Sequence, residues 1–132
     1  MAIPGGKAIQ MVQTAHAEAA RLDIAVTAAV VDESGRMIAL GRMDRARPIT
    51  VEMALNKAYT AASFQQPTKE LAAVAGQPWF QSLVVSSNGR IMAAGGALPI
   101  LEGGKVVGAV AVAGGTEEQE QRCAEAALES YS

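Results

Sequence analysis

The chain has 132 residues, half of them hydrophobic and 4% aromatic, with a formal net charge of −2. This length and composition predict one globular domain over residues 1–132 with an ordinary core. The charge is too close to zero to favour nucleic-acid binding, and no apolar run is long enough for a membrane span, so neither partner is expected. The first residues lack the pattern of a secretory signal, and we expect a cytoplasmic protein.

The first periodic segment predicts an amphipathic helix over residues 7–22. His16, the only histidine, lies beside the apolar face of that helix. A lone histidine in such a position is more often a packed or surface residue than a metal ligand, and the sequence leaves both roles open.

A hairpin is predicted next, with an apolar strand over residues 24–31, a turn at 33–35 and a second strand ending at Leu40. The first strand is apolar almost throughout, which is typical of a strand buried on both faces. Asp32 at its end is expected to accept backbone hydrogen bonds in the turn.

A basic loop follows the hairpin, in which Arg42, Arg45 and Arg47 surround the carboxylate of Asp44 in sequence. Pro48 then requires an extended residue before the next helix. Guanidinium donors beside the free N–H groups of a helix start suit a carboxylate or phosphate ligand. The sequence therefore places a candidate anion site here.

The predicted helix over residues 50–64 has two different faces. One consists of small residues and is suited to packing on a sheet. The other contains Lys57 and Thr60 among apolar residues, which leaves three interpretations: a subunit interface, a solvated flank with Lys57 reaching into water, or the wall of a pocket.

The remaining chain predicts a short helix beginning at Pro67 or Thr68 and ending at Gly76, then a strand near residues 83–85 followed by a turn at 87–89. Adjacent glycines at 95–96 permit positive φ in a further turn.

The last third predicts a hairpin through residues 103–104, a strand over 105–113 and a closing helix. Thr116 and Gln119 match a capping box at the start of that helix. Cys123, the single cysteine, lies in its packed row and is expected to be an inert apolar residue. These elements together predict an α+β fold around one antiparallel sheet, and the small residues on its faces favour a homo-oligomer.

Several motifs, in order along the chain, resemble the GlcG/HbpS family, which is described as haem-degrading or haem-binding and is related to the C-terminal domain of PduO-type proteins. They are RMD at 42–44, ALNKAYTAASF at 54–64, PT at 67–68, GGALPI at 95–100 and GGKVVGAVAVAGGTEEQE at 103–120. The resemblance implies a profilin-like sandwich, with a five-stranded antiparallel sheet flanked by helices, that assembles into dimers or larger rings.

The resemblance also implies a small-ligand or haem site near the subunit contacts. The positions that match the family motifs are Arg42, Met43, Asp44, Lys57, Thr60, Gly95, Gly96, Pro99 and Ile100. All of these except Asp44 and Ile100 are candidate ligand-binding residues, and Arg45 is a further one. Many relatives have glycine after the RMD motif, whereas this chain has Arg45, which adds positive charge beside the pocket.

The leading hypothesis is a protein that binds haem or a similar anionic planar ligand. Haem needs an axial ligand, an apolar slot and cations for its propionates. His16 is the candidate iron ligand, since some haem-binding relatives are thought to use a first-helix histidine, and Arg42, Arg45 and Lys57 are candidate partners of the propionates. Met43 would supply soft packing.

Two alternatives remain open at this point. The first is a cofactor-free enzyme acting on a small carboxylated catabolic intermediate, in which Arg42 holds the carboxylate, Asp44 is the general base and Lys57 is an electrophile or amine nucleophile. The second is an accessory subunit that stabilises an enzyme assembly.

Overall fold

The computed structural model describes residues 2–132. The elements in chain order are α1 (Gly5–Arg21), β1 (Thr27–Asp32), β2 (Met37–Arg42), α2 (Ile49–Phe64), a 3₁₀-helix (Thr68–Ala73), α3 (Pro78–Ser86), β3 (Ala97–Glu102), β4 (Lys105–Ala113) and α4 (Glu117–Tyr131). No helix among the described residues is long and apolar enough to cross a membrane.

The sheet is antiparallel and has the strand order β2-β1-β4-β3. Thr27 at the start of β1 pairs with Arg42 on one side and with Ala113 on the other. The α+β class with helices flanking an antiparallel sheet is therefore confirmed. The prediction of five strands is wrong, since the sheet has four.

The error lies in the segment around residues 83–85, which forms the helix α3 instead of a strand. Pro78 starts this helix, at a position where its missing N–H is not needed. Phe80 is buried and Val84 packs beside it, which is the four-residue spacing of a helix, whereas Val85 is 77% exposed. The predicted turn at 87–89 is present directly after α3.

Helices cover both faces of the sheet. α1 and α4 pack on the face formed by Ala28, Val30, Val110 and Val112. α2 packs on the opposite face, where its alanines meet the alanines of β1, β3 and β4. Small residues on both surfaces let the helix lie close to the strands. The predicted small-residue face of α2 is confirmed.

Local signals placed most of the other elements within a few residues of their observed bounds. The hairpin between β3 and β4 turns through Gly103 and Gly104, both with positive φ. Thr116 and Gln119 form the predicted capping box at the start of α4. Asp32 accepts hydrogen bonds from the backbone of Ser34 and Arg36, as expected of a turn residue.

Candidate functional site

The candidate site is an open cleft of about 670 Å³ between the C-terminal half of α1 and the end of β2. It brings together residues from α1, from the connection to β1 and from the loop after β2. Its lining consists of His16, Ala20, Asp23, Ile24, Ala25, Arg42, Met43, Asp44 and Arg45. Five of the sequence-predicted site residues therefore share one concave surface.

His16 is half-buried and reaches across from α1 to β2, where its Nε2 lies 2.9 Å from the carbonyl oxygen of Gly41. The sequence prediction that it lies beside the apolar face of the helix is consistent with this position. The imidazole occupies the space that a side chain at position 41 would need, because a Cβ on Gly41 would lie 2.8 Å from Cε1 of His16.

Arg42 is held in place by its own loop. Its Nε donates a hydrogen bond of 3.0 Å to the carbonyl of Ala46. Ala46 in turn donates its N–H to the carbonyl of Met43, closing a turn. With Nε engaged, the two terminal nitrogens of the guanidinium are the donors that Arg42 can offer to an anion.

Met43 fixes the floor of the cleft to the start of the sheet. The backbone N–H of Met43 donates to the carbonyl of Val26, and the N–H of Val26 donates to Sδ of Met43, with 3.3 Å between nitrogen and sulfur. Together with Ala20, Ile24 and Ala25 it supplies the apolar part of the lining. The cleft thus combines an imidazole, an apolar floor and two guanidinium groups.

Two carboxylates, Asp23 and Asp44, line the cleft as well. Among the described residues, none of the arginines of the basic loop lies within ion-pair distance of Asp44. The arginines that surround Asp44 in sequence therefore do not close on it in space, and their charge is free for other partners.

Lys57 does not belong to this cleft. It is fully buried, and its Nζ donates to the carbonyls of Gly95 and Val112 and to Oε1 of Glu120, at 3.0, 2.6 and 2.8 Å. These three acceptors use all three protons of the ammonium. The interpretation of Lys57 as a solvated flank or a pocket wall is wrong, because its ammonium is buried and all its donors are paired inside the fold.

The electrostatics of Lys57 follow from the same contacts. Burial lowers the pKa of its ammonium, and the carboxylate of Glu120 opposes that shift. Oε2 of Glu120 accepts from the N–H groups of Gly114 and Gly115, at 2.8 and 3.2 Å. The pair is therefore fully hydrogen-bonded, which is what a buried ion pair requires.

The other predicted residues also lie outside the cleft. Thr60 is buried and accepts the N–H of Met92, while Gly95 and Gly96 shape the turn around the Lys57 ammonium. Pro99 is buried in β3 and lines a different cavity, beside Lys7 and Tyr131. The structure does not bring Asp44 and Lys57 together, since the first lies in the open cleft and the second inside the fold.

Sequence reasoning missed Glu120. A signal was available, because Glu120 precedes Cys123, Ala124 and Ala127 at helical spacing and so shares their buried face. The apolar floor residues Ala20, Ile24 and Ala25 were missed as well. They carry no chemical signal of their own and become part of a site only through the packing of α1 on the hairpin.

The family model for haem-degrading HbpS-like proteins matches residues 5–129. The chain belongs to the HbpS-like family. The resemblance to the GlcG/HbpS family is thereby confirmed over nearly the whole chain.

Other HbpS-like proteins share both sequence and fold with this one. A 15.0 kDa protein of Citrobacter freundii, encoded between dhaT and dhaS, is 40% identical over 124 residues, which cover 93% of this chain and 87% of that protein. The crystal structure of Klebsiella pneumoniae ORFY has a TM-score of 0.91 at 37% identity, covering 98% of this chain and 90% of that one.

The crystal structure of a PduOC–haem complex is also similar. It has a TM-score of 0.90 at 27% identity, and the match covers 98% of this chain and 95% of that chain. Haem binding is therefore a property found within the set of structures that share this HbpS-like fold.

Proposed function

We propose that this HbpS-like protein, as a single domain of residues 1–132, binds haem or a similar anionic planar ligand in the cleft beside His16. The observation that carries the proposal is that the only histidine of the chain shares a cleft with Arg42, Met43 and Arg45. The haem bound by the similar PduOC structure supports the choice of ligand.

The donor set of the cleft fits the needs of haem. His16 would supply an axial nitrogen, Arg42 and Arg45 would pair with the propionates, and Met43 would pack against the ring. Asp23 and Asp44 balance the charges of Arg42 and Arg45, so the cleft as a whole does not attract an anion. The propionates would therefore be held by direct contact with the guanidinium groups. Lys57, already paired with Glu120, takes no part.

The test is a titration of the purified protein, carrying no histidine tag, with haemin, followed by the Soret band. Wild type is expected to give a saturable, shifted band that His16→Ala abolishes. Arg47→Gln is a suitable control, because Arg47 belongs to the same loop but does not line the cleft. Absence of saturable binding by wild type would contradict the proposal.

We further propose that the protein acts as a homo-oligomer, a dimer or larger ring, in the cytoplasm, with the cleft near a subunit contact. Ile9 is 54% exposed and lies two helical turns before His16, on the same side of α1. A large apolar side chain exposed on this side of α1 suits a protein contact. Light scattering on wild type, Ile9→Asp and the neighbouring exposed control Gln10→Asp tests this, with a loss of mass expected for Ile9→Asp alone.

A further inference from the structure

We infer that the carbonyl of Gly41 holds His16 as the tautomer protonated on Nε2, so that Nδ1 is the nitrogen offered to a ligand in the cleft. The identity of that ligand rests on the proposed function. The tautomer rests on the contacts of His16 alone.

The hydrogen bond between His16 and Gly41 fixes which ring nitrogen carries the proton. Nε2 of His16 lies 2.9 Å from the carbonyl oxygen of Gly41. A carbonyl oxygen only accepts, so the proton of this bond belongs to Nε2. Because a neutral imidazole has one N–H, the lone pair that is free for coordination is then on Nδ1.

Nδ1 of His16 is accessible from the cleft. Within residues 2–132, Nε2 is the His16 nitrogen that makes a hydrogen bond. Nδ1 makes no hydrogen bond in this part of the chain, where the one buried side-chain polar atom without a hydrogen-bond partner is Oε1 of Gln121. Nδ1 of His16 is therefore not sealed in the core, and His16 itself lines the cleft.

Residue 41 lies too close to the imidazole to carry a side chain. A Cβ at this position would lie 2.8 Å from Cε1 of His16 and 2.7 Å from Cγ1 of Val12. Contacts this close force a neighbour to move, and the imidazole is one of the two neighbours. Gly41 is thus a positioning residue, which sets the orientation of the ring by its carbonyl and by its missing side chain.

Coordination through Nδ1 keeps this arrangement, whereas coordination through Nε2 would require the Gly41 bond to break and the ring to turn. An N–H donated to a carbonyl also fixes the ring and raises the basicity of the opposite nitrogen. The contacts of the fold therefore favour Nδ1.

The experiment uses the single histidine as its own probe. Protein without a histidine tag, grown with nitrogen-15 histidine, gives one imidazole spin system in long-range proton–nitrogen spectra. At a pH where the ring is neutral, we expect the proton on Nε2 and an unprotonated Nδ1. A proton on Nδ1, or an exchanging mixture of tautomers, would overturn the inference.

Gly41→Ala tests the positioning role. It is expected to release the ring, so that the single Nε2–H form is replaced by the exchange-averaged signals of a free imidazole. Gly76→Ala is the matched control, because it adds the same methyl group where nothing lies within 4 Å, and it should keep the wild-type spectrum. An unchanged tautomer in a folded Gly41→Ala protein would remove Gly41 from this role, and the wild-type spectrum stands as a test if that variant does not fold.

Zinc protoporphyrin, which is diamagnetic and accepts one axial ligand, tests which nitrogen coordinates. We expect the Nδ1 resonance to shift while the Nε2 proton is retained, and a shift of Nε2 with loss of its proton would overturn the inference. If neither this porphyrin nor haemin binds, the proposed function fails together with the coordinating role of Nδ1, whereas the spectrum of the free protein still decides the tautomer.

Discussion

Nζ of Lys57 and Oε1 of Glu120 lie 2.8 Å apart, although they belong to helices that pack on opposite faces of the sheet. The contact passes Gly96, the residue directly before β3, where a Cβ would lie 2.7 Å from Nζ. The ion pair thus ties α2 to α4 around the end of the edge strand. It is a structural feature of the fold and not part of the cleft.

Lys57→Met is expected to destabilise the protein by about 3–5 kcal/mol, because it leaves the carboxylate of Glu120 buried without its counter-charge. Urea unfolding of Lys57→Met, Glu120→Gln and the double variant measures the coupling between the two residues. We expect the double variant to be clearly more stable than the sum of the single effects predicts.

The ion pair between the exposed Arg21 and the half-buried Glu18 provides the control for this cycle. Arg21→Met removes a partner of the same kind at the surface, where solvent screens the charges, and it should have a small effect. Equal losses from Lys57→Met and Arg21→Met would contradict the structural role of the buried pair.

Gly96→Ala is expected to cost about 3 kcal/mol or more. Its φ of +110° is unfavourable for alanine, and the new Cβ would lie 2.9 Å from both Cβ of Glu120 and the carbonyl of Val112. Gly103→Ala, also at positive φ but in open space, should cost only about 1–2 kcal/mol. Thermal or urea unfolding of both variants gives the comparison, and similar losses would show that the crowding at Gly96 is unimportant.

Alkaline pH is expected to weaken the contact between Tyr131 and Glu102. The phenol donates a hydrogen bond to the carboxylate, and this bond, with smaller contributions from burial and charge repulsion, raises the pKa of Tyr131 to about 12. An unfolded tyrosine titrates near 10. Since the folded pKa is the higher one, this stabilisation is complete below about pH 10 and is lost as the pH rises towards 12.

Tyr131→Phe should therefore lose stability less steeply than wild type between about pH 10 and 12. The unfolding midpoint as a function of pH measures this difference. In a Tyr59→Phe background, Tyr131 is the remaining tyrosine and its phenolate absorbance can be titrated directly. A midpoint near 10 in the folded protein would contradict the predicted shift.

If the cleft binds haem, its charges should control the affinity in opposite directions. Arg42→Gln is expected to weaken haemin binding roughly tenfold, about 1.4 kcal/mol, because one charge-assisted hydrogen bond is lost. Asp44→Asn should strengthen it, because a negative charge is removed beside the propionates. Haemin titrations at one fixed salt concentration measure both, with Arg47→Gln as the variant that should match wild type.

Local chemistry determined much of this fold from the sequence. The periodicity of residues 7–22, the capping box at Thr116 and the glycines at 103–104 act over a few residues, so they placed α1, α4 and the last hairpin. The motif RMD at 42–44 likewise marked one wall of the cleft. For α3 the local signal was ambiguous, because a short apolar run suits a strand or a helix, and packing of Phe80 against Phe64 accompanies the helix.

Only the tertiary structure decided which charged residues belong to the cleft. Lys57 and Arg42 are both cations, and nothing in the sequence separates their roles. In the structure Lys57 pairs with Glu120, which is 63 residues away in the chain, while Arg42 is exposed. His16 likewise acquires its partner, Gly41, from 25 residues away. Such pairings depend on how the helices cover the two faces of the sheet, which no local pattern encodes. The sequence by itself therefore determined the elements and the family, and the packing of the sheet determined which of their side chains share a site.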